Sequence, residues 1–300
     1  MEPGKIGTRV WFDVTRPFAF PASVLGVLVG TAAAASIKQW RWGVLALELV
    51  AVVLMHAIGN LLNDYYDYRS GADARTEDDE GRPGRFLVKG VLLPKQVLRL
   101  VLILCLPLAP IGAYLIWLGG WPVAAIAAVG LFGAYSYTGP PFALKYRRLG
   151  ELCIFIVYGP AVVIGAGYMQ SLTVTPKMLL YSIPLGMLIT AIVSANNLRD
   201  IEEDERGKVR TLACVLGRKL YLPIYLALMF APAAIIVSMV ISRTAPTWLL
   251  LGLLALPIGL APARYALRNV RRPDADALTA KYMTAFGGLI FLALILAGAR

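Results

Sequence analysis

The chain alternates long apolar stretches with short polar segments. Each apolar stretch is continuous and about 20 residues long, the length that a helix needs to cross the hydrocarbon of a bilayer. Strands of a membrane barrel would instead alternate apolar and polar residues. The pattern therefore predicts an all-α polytopic membrane protein with about nine transmembrane helices. The predicted spans are 17–37, 43–68, 95–118, 121–138, 150–170, 178–200, 220–241, 246–267 and 280–298.

The composition supports contact with lipid rather than burial in a soluble core. Hydrophobic residues make up 58% of the 300 residues, and the mean hydropathy is +0.68. A soluble protein of this length could not cover so much apolar surface. We predict that residues 1–300 form a single transmembrane domain with membrane lipids around it.

The charges divide unequally between the two sides that nine spans define. The side with the N-terminus and the segments after spans two, four, six and eight holds 24 of the 29 Lys and Arg residues and 17 of the 18 acids. The positive-inside rule predicts that this side is cytoplasmic, which indicates a plasma membrane protein with its polar face toward the cytoplasm. A net charge of +11 fits anionic headgroups or a phosphorylated substrate. Scattered basic residues in short loops do not predict a nucleic-acid partner.

Two stripes of Asn and Asp side chains end spans two and six. Their spacing of three or four residues places each stripe on one helix face. Both contain the pattern NxxxD, which suggests that the chain has two pseudo-repeated halves with acidic motifs at 60–73 and 196–211. The first stripe is Asn60, Asn63, Asp64 and Asp67, and the second is Asn196, Asp200 and Asp204.

Carboxylates in these positions need a positive partner. Like charges on one helix face repel each other, and the negative end of the helix dipole disfavours them further. A divalent cation reverses both penalties, and Asp and Asn oxygens suit Mg²⁺, which completes its shell with water and substrate phosphates. The stripes therefore predict two facing magnesium sites that hold a diphosphate between them. The acids 77–80 and Glu202, Glu203 and Glu205 lie off the stripes and are predicted to be solvated.

Several cations lie close to these stripes in the sequence, and a leaving diphosphate needs such charges. Taken alone, each is more often a charge that orients the protein in the membrane. Lys145 and Arg199 stand out because each has an aromatic or acidic neighbour. The predicted diphosphate-binding residues are Tyr137, Lys145, Arg199, Lys208, Arg210, Arg82 and Lys89.

Two other functions fit the pattern less well than diphosphate chemistry does. A cation-coupled transporter would carry its acids near the middle of spans, whereas here they lie at span ends. A CDP-alcohol phosphotransferase also uses Asp and magnesium, but the DGxxAR signature is missing. The single His56 lies inside span two and is interpreted as a packed core residue rather than a ligand.

The motifs NDYYDYRSGAD and NNLRDIEEDERGKVRTLACVLG resemble the two Asp-rich motifs of the UbiA superfamily of intramembrane prenyltransferases. TRPFAFPASVLGVLVG and YTGPPFALKYRRLGEL extend the resemblance over nearly the whole chain, and the set is most similar to the 1,4-dihydroxy-2-naphthoate branch. The resemblance implies a ring of nine helices around a central cavity, capped by polar loops on the cytoplasmic side. It also implies Mg²⁺-dependent transfer of an isoprenyl group from a prenyl diphosphate to an aromatic acceptor through an allylic carbocation.

The resemblance also assigns roles to residues. The magnesium ligands would be the members of the two stripes from Asn63 onward, and Asp67, Asp200 and Lys145 are predicted to be catalytic. We predict that Arg16, Asn60 and Asp73 bind the acceptor. The alternative acceptor is a geranylgeranylglyceryl phosphate lipid, because related archaeal enzymes share much of this pattern.

Two departures from the family pattern bear on these roles. The 4-hydroxybenzoate branch has a further Asp where this chain has Gly71, which counts against that acceptor unless Asp73 replaces it. The second motif usually ends Gly-Lys-Arg-Thr, but here Val209 separates Lys208 from Arg210, which leaves the division of labour between these two cations open.

Overall fold

The computed structural model describes residues 7–34, 36–71, 86–206 and 209–298, and within these ranges the chain is helical with no strand, which confirms the all-α prediction. Short helices, Thr8–Asp13 and Ile201–Arg206, precede the first membrane helix and follow the sixth. The described ranges contain nine apolar helices, which are α1 (Phe20–Ala34), α2 (Trp42–Ser70), α3 (Pro94–Gly119), α4 (Trp121–Ser136), α5 (Gly150–Ser171), α6 (Pro176–Arg199), α7 (Leu212–Ile241), α8 (Thr247–Leu267) and α9 (Ala275–Gly298).

Eight of the helical segments in the described ranges are long and apolar enough to cross a membrane, with Thr8–Ala34 counted as one segment that ends in α1. The ninth, α4, is apolar but has only 16 residues. It begins after Gly120, whose backbone has a positive φ of 72°, and carries Pro122 in its first turn, where a missing N–H costs nothing. The nine predicted spans therefore all correspond to apolar helices, and α4 is the short one.

The helices form a ring in chain order. Each membrane helix packs against the next, and α9 packs against α1, which closes the ring. Helix α6 is the most enclosed of these helices, with 72% of its apolar stretch buried, because α1, α5, α7 and α9 all contact it. Helix α3 is the most exposed, with 11% buried, and its outer face carries Leu102 and Leu106 toward lipid.

Helix α5 is not a regular α-helix. Its turn Val157–Ala161 has π-helical spacing around Pro160, which has no N–H to donate within the helix. Such single π turns are frequent at functional sites because they re-aim side chains. Here the turn carries Tyr158 onto the wall of the central cavity.

Helices α1 and α5 touch through their backbones at Gly30. A Cβ atom added there would lie 2.1 Å from the Val163 carbonyl oxygen. We therefore expect Gly30→Ala to lower the free energy of unfolding in detergent by about 1–3 kcal/mol, since overpacking forces backbone shifts. Gly112→Ala on α3 is the matched control, because nothing lies within 4 Å of its added Cβ. Equal thermal stability of the two variants would contradict the close contact.

Candidate active site

A cavity of about 330 Å³ lies inside the ring, at the end where α2, α4 and α6 finish. Its deeper wall is apolar and includes Val52, Met55, Ile126, Ile189 and Ile192. The residues predicted for the site that line it are Arg16, Asn60, Asn63, Asp67, Tyr137, Lys145, Asn196, Arg199, Asp200 and Asp204. The tertiary structure thus brings both motifs and the loop after α4 to one cavity.

Asp67 is the centre of the first motif. Its carboxylate is 4% exposed and accepts a hydrogen bond at Oδ2 from the Lys145 Nζ, 2.7 Å away. The Tyr146 hydroxyl donates to the other oxygen, Oδ1. The Lys145 backbone N–H donates to the Tyr137 carbonyl at 2.8 Å, which ties this loop to the end of α4.

Lys145 is a permanent cation at the cavity wall. Burial by itself lowers the pKa of its ammonium, but the Asp67 carboxylate, together with Tyr146 and Tyr137, offsets this and raises the pKa well above its usual value. A fixed positive charge beside a buried carboxylate suits the binding of a polyanion, because the charge is already oriented and partly desolvated.

The segment before α1 closes over the first motif. The Asn60 side-chain amide donates to the Thr15 carbonyl at 2.9 Å, and Arg16 forms an ion pair with Asp64, which is 4% exposed. Asp64, a predicted metal ligand, therefore contacts a cation, while Arg16 and Asn60 line the cavity as the predicted acceptor-binding residues.

Arg199 is the centre of the second motif. Its guanidinium donates to both Asp200 oxygens at 2.7 and 2.9 Å and to the Pro273 carbonyl at 2.8 Å. Asp276 lies 3.7 Å away. The helix breaks at Asp200 and resumes at once, and the Asp204 N–H donates to the Asp200 carbonyl at 2.8 Å. This break turns the Asp200 and Asp204 side chains toward the same cavity as Asp67.

The two motifs share one unusual feature at equivalent positions. The side-chain oxygens of Asn63 and Asn196 are buried and accept no hydrogen bond from the described residues. A buried acceptor without a partner costs about 1–3 kcal/mol, so each oxygen is placed to accept a donor or a cation that the chain does not supply. Such oxygens, beside Asp67 and Asp200, are the ligand type that Mg²⁺ prefers.

Within the described ranges, no three His, Cys, Asp or Glu side chains cluster closely enough to hold a metal ion alone. This agrees with the candidate donors, because two of them, Asn63 and Asn196, supply amide oxygens, and the Asp67 and Asp200 carboxylates are paired with Lys145 and Arg199. Mg²⁺ typically takes only one or two carboxylates and completes its shell with water and phosphate oxygens. The residues therefore fit Mg²⁺ bound together with a phosphorylated ligand.

Two other predicted site residues, Lys89 and Arg210, are exposed on the surface and are not among the cavity-lining residues. Their roles stay predictions. Asp73, Arg82 and Lys208 lie outside the described residues.

The prediction that Glu203 is solvated was wrong. It is 8% exposed, pairs with Arg271 and lines the cavity, because the short helix after α6 packs that face inward. Glu202 and Glu205 are exposed, as predicted. Which acid of this run is buried depends on how the six-residue helix Ile201–Arg206 docks, and the charge run alone does not show that.

Two contacts were not anticipated from sequence. Tyr146 bonds Asp67, and its place beside Lys145 was the available signal. Asp276 lines the cavity from the start of α9, and no motif marks it. A third side chain, His56, is packed as predicted but also reaches the cavity wall.

Together the fold and the site define a polytopic membrane protein with a polar pocket, lined by Asn, Asp, Lys and Arg side chains, above an apolar chamber. The model of the UbiA prenyltransferase family matches residues 23–295. The chain therefore belongs to that family, and it is an enzyme that transfers a prenyl group.

Individual relatives agree. The chain is 32% identical to a 1,4-dihydroxy-2-naphthoate octaprenyltransferase of Bacillus subtilis over 97% of this chain and 93% of that protein. It is 34% identical to UbiA prenyltransferase domain-containing protein 1 of Rattus norvegicus, covering 95% and 82% of the two chains. Its fold is similar to that of a UbiA homolog from Archaeoglobus fulgidus bound to GPP and Mg²⁺, with a TM-score of 0.63 and 14% identity over 96% of this chain and 99% of that one.

Proposed function

We propose that the enzyme uses Mg²⁺ to transfer an isoprenyl group from a prenyl diphosphate to an aromatic quinone precursor of the 1,4-dihydroxy-2-naphthoate type. The 32% identity to the Bacillus subtilis enzyme over nearly the full length of both chains supports this acceptor. The metal is supported by the Archaeoglobus fulgidus homolog, which binds Mg²⁺ together with a prenyl diphosphate.

The observation that carries this proposal is the pair of buried Asn63 and Asn196 oxygens, which have no partner among the described residues. Both residues line the same cavity as Asp67 and Asp200. We propose that Asn63 and Asp67 hold one ion and that Asn196, Asp200 and Asp204 hold a second. When bound, Mg²⁺ would supply positive charge to the diphosphate oxygens.

The chain itself performs three tasks in this scheme. Lys145 and Arg199 place further positive charge where the diphosphate leaves. As the carbon–oxygen bond of the prenyl diphosphate breaks, the allylic carbon becomes electron-poor and a ring carbon of the acceptor bonds to it. The apolar wall formed by residues such as Val52, Ile126 and Ile189 receives the isoprenoid tail and excludes water, which would otherwise capture the cation.

We also propose that the motif-bearing end of the bundle faces the cytoplasm at the plasma membrane. At this end the first motif contacts the loop after α4 through Lys145, and the second contacts the loop after α8 through Pro273 and Arg271. That is the end where the sequence concentrates Lys and Arg, and the positive-inside rule assigns such an end to the cytoplasm.

Purified enzyme, labelled prenyl diphosphate and a panel of acceptors test the proposal. We expect Mg²⁺-dependent product with 1,4-dihydroxy-2-naphthoate, at least tenfold faster than with 4-hydroxybenzoate or geranylgeranylglyceryl phosphate, and none after chelation. If geranylgeranylglyceryl phosphate is the only acceptor that gives product, the enzyme prenylates this lipid and not an aromatic compound. Full activity in excess chelator would show that the reaction does not need Mg²⁺.

A further inference from the structure

The chain has one histidine, His56, and the proposed function so far gives it no task. It lies on α2, seven residues before Asn63, which is about 10 Å along the helix. The side chain is 8% exposed and lines the cavity. It thus lies below the diphosphate end, where the polar pocket gives way to the apolar chamber.

The ring of His56 is held in one orientation. The Ser23 hydroxyl on α1 is hydrogen-bonded to Nδ1. The Phe20 ring meets the imidazole edge-on with centroids 5.6 Å apart, and the Tyr158 ring lies 4.9 Å away on the π turn of α5. Three helices therefore fix one small ring, and Nδ1 is already engaged.

The second ring nitrogen, Nε2, has no hydrogen-bond partner among the described residues. If position 56 served packing alone, a leucine or phenylalanine there would stabilise the fold more than histidine does, because an unpaired polar nitrogen in an enclosed site is costly. An isoprenoid tail offers Nε2 nothing to bond. A hydroxylated aromatic ring offers a polar group and a flat face that suits the surrounding rings.

We propose that His56 Nε2 hydrogen-bonds a hydroxyl group of the aromatic acceptor and takes its proton as the new carbon–carbon bond forms. This inference rests on the proposed function. The developing phenolate makes the ring carbon a stronger nucleophile, and this carbon bonds to the allylic carbon as the diphosphate departs. The attacked ring carbon then passes its own proton to the ring oxygen and restores the aromatic ring, while His56 releases the first proton to water.

Ser23 is a positioning residue in this scheme. Its hydroxyl holds the imidazole by Nδ1 and so directs Nε2 into the cavity, which is how the second nitrogen of a working histidine is usually set. Ser23→Ala should therefore reduce acceptor use by less than the loss of the imidazole does.

The test combines an enzyme variant with an altered acceptor. His56→Gln should lower kcat/KM for the acceptor by about 10²-fold, the usual contribution of a general base, while KM for the prenyl diphosphate changes less than twofold. For one of the two monomethyl ethers of the acceptor, the wild type should show a kcat/KM as low as that of His56→Gln with the parent acceptor. The His56→Gln change should not lower kcat/KM for this ether any further. Thr190→Val is the control, because it removes a buried hydrogen bond of 2.8 Å on α6 away from the cavity lining.

The outcomes separate the two proposals. If the wild type prenylates no aromatic acceptor, the proposed function fails. If it does, the role of His56 is wrong, and the proposed function stands, in either of two cases. In the first, His56→Gln keeps more than a third of the wild-type kcat/KM. In the second, His56→Gln lowers kcat/KM for each ether by the same factor as for the parent acceptor. Should His56→Gln not fold, the wild-type enzyme decides: equal use of both monomethyl ethers and the parent acceptor overturns the inference.

Discussion

Asp67→Asn and Asp200→Asn are each expected to lower kcat/KM for prenyl transfer by about 10³-fold, at the upper end of what one electrostatic group usually contributes. Each carboxylate is the charged member of an NxxxD pair, is paired with a cation of the chain and lines the cavity. The near-isosteric amide keeps the volume and some hydrogen bonding, so the Tyr146 contact at Asp67 can persist. The charge is what disappears.

Magnesium titration distinguishes a ligand from a salt-bridge partner. If both carboxylates bind metal, the Mg²⁺ concentration for half-maximal activity rises in each variant. Glu205→Gln is the control, because it removes an exposed charge five residues beyond the Asp200 break. Retention of a tenth of wild-type kcat/KM by either Asp variant, with unchanged Mg²⁺ dependence, would rule out the assignment of that motif.

Asn63→Leu and Asn196→Leu are expected to separate activity from stability. Prenyl transfer should fall by about 10²-fold in each, a loss like that of one stabilising donor. The metal-free protein should become more stable by about 1 kcal/mol, because leucine of similar size removes a buried acceptor that has no partner among the described residues. Thermal unfolding in detergent with chelator measures the second effect.

The neighbour Asn197 provides the contrast. Its side-chain amide donates to Glu151 at 2.8 Å in a buried contact that Tyr221 also joins. Asn197→Leu should therefore lower the free energy of unfolding by about 1–3 kcal/mol. If Asn196→Leu destabilised the metal-free enzyme as much as Asn197→Leu, the oxygen of Asn196 would have a structural partner and could not be reserved for a metal.

Much of this arrangement was predictable from local patterns. Continuous apolar stretches of about 20 residues determine membrane helices, since no other short-range structure satisfies the backbone in lipid. The repeated NxxxD spacing determines that Asn63 and Asp67, and likewise Asn196 and Asp200, share a helix face. Both are properties of a single helix, so no tertiary contact is needed to derive them.

Which groups meet across helices was decided by tertiary packing alone. The pairing of Asp67 with Lys145 joins residues 78 positions apart, and the burial of Glu203 depends on Arg271. The reach of His56 into the cavity depends on contacts from α1 and α5. The sequence by itself determined the helices and the faces that carry the oxygens. The packing of the membrane helices into a ring decided which face met the cavity and which cation met each carboxylate, because such contacts depend on distances between helices that no local pattern encodes.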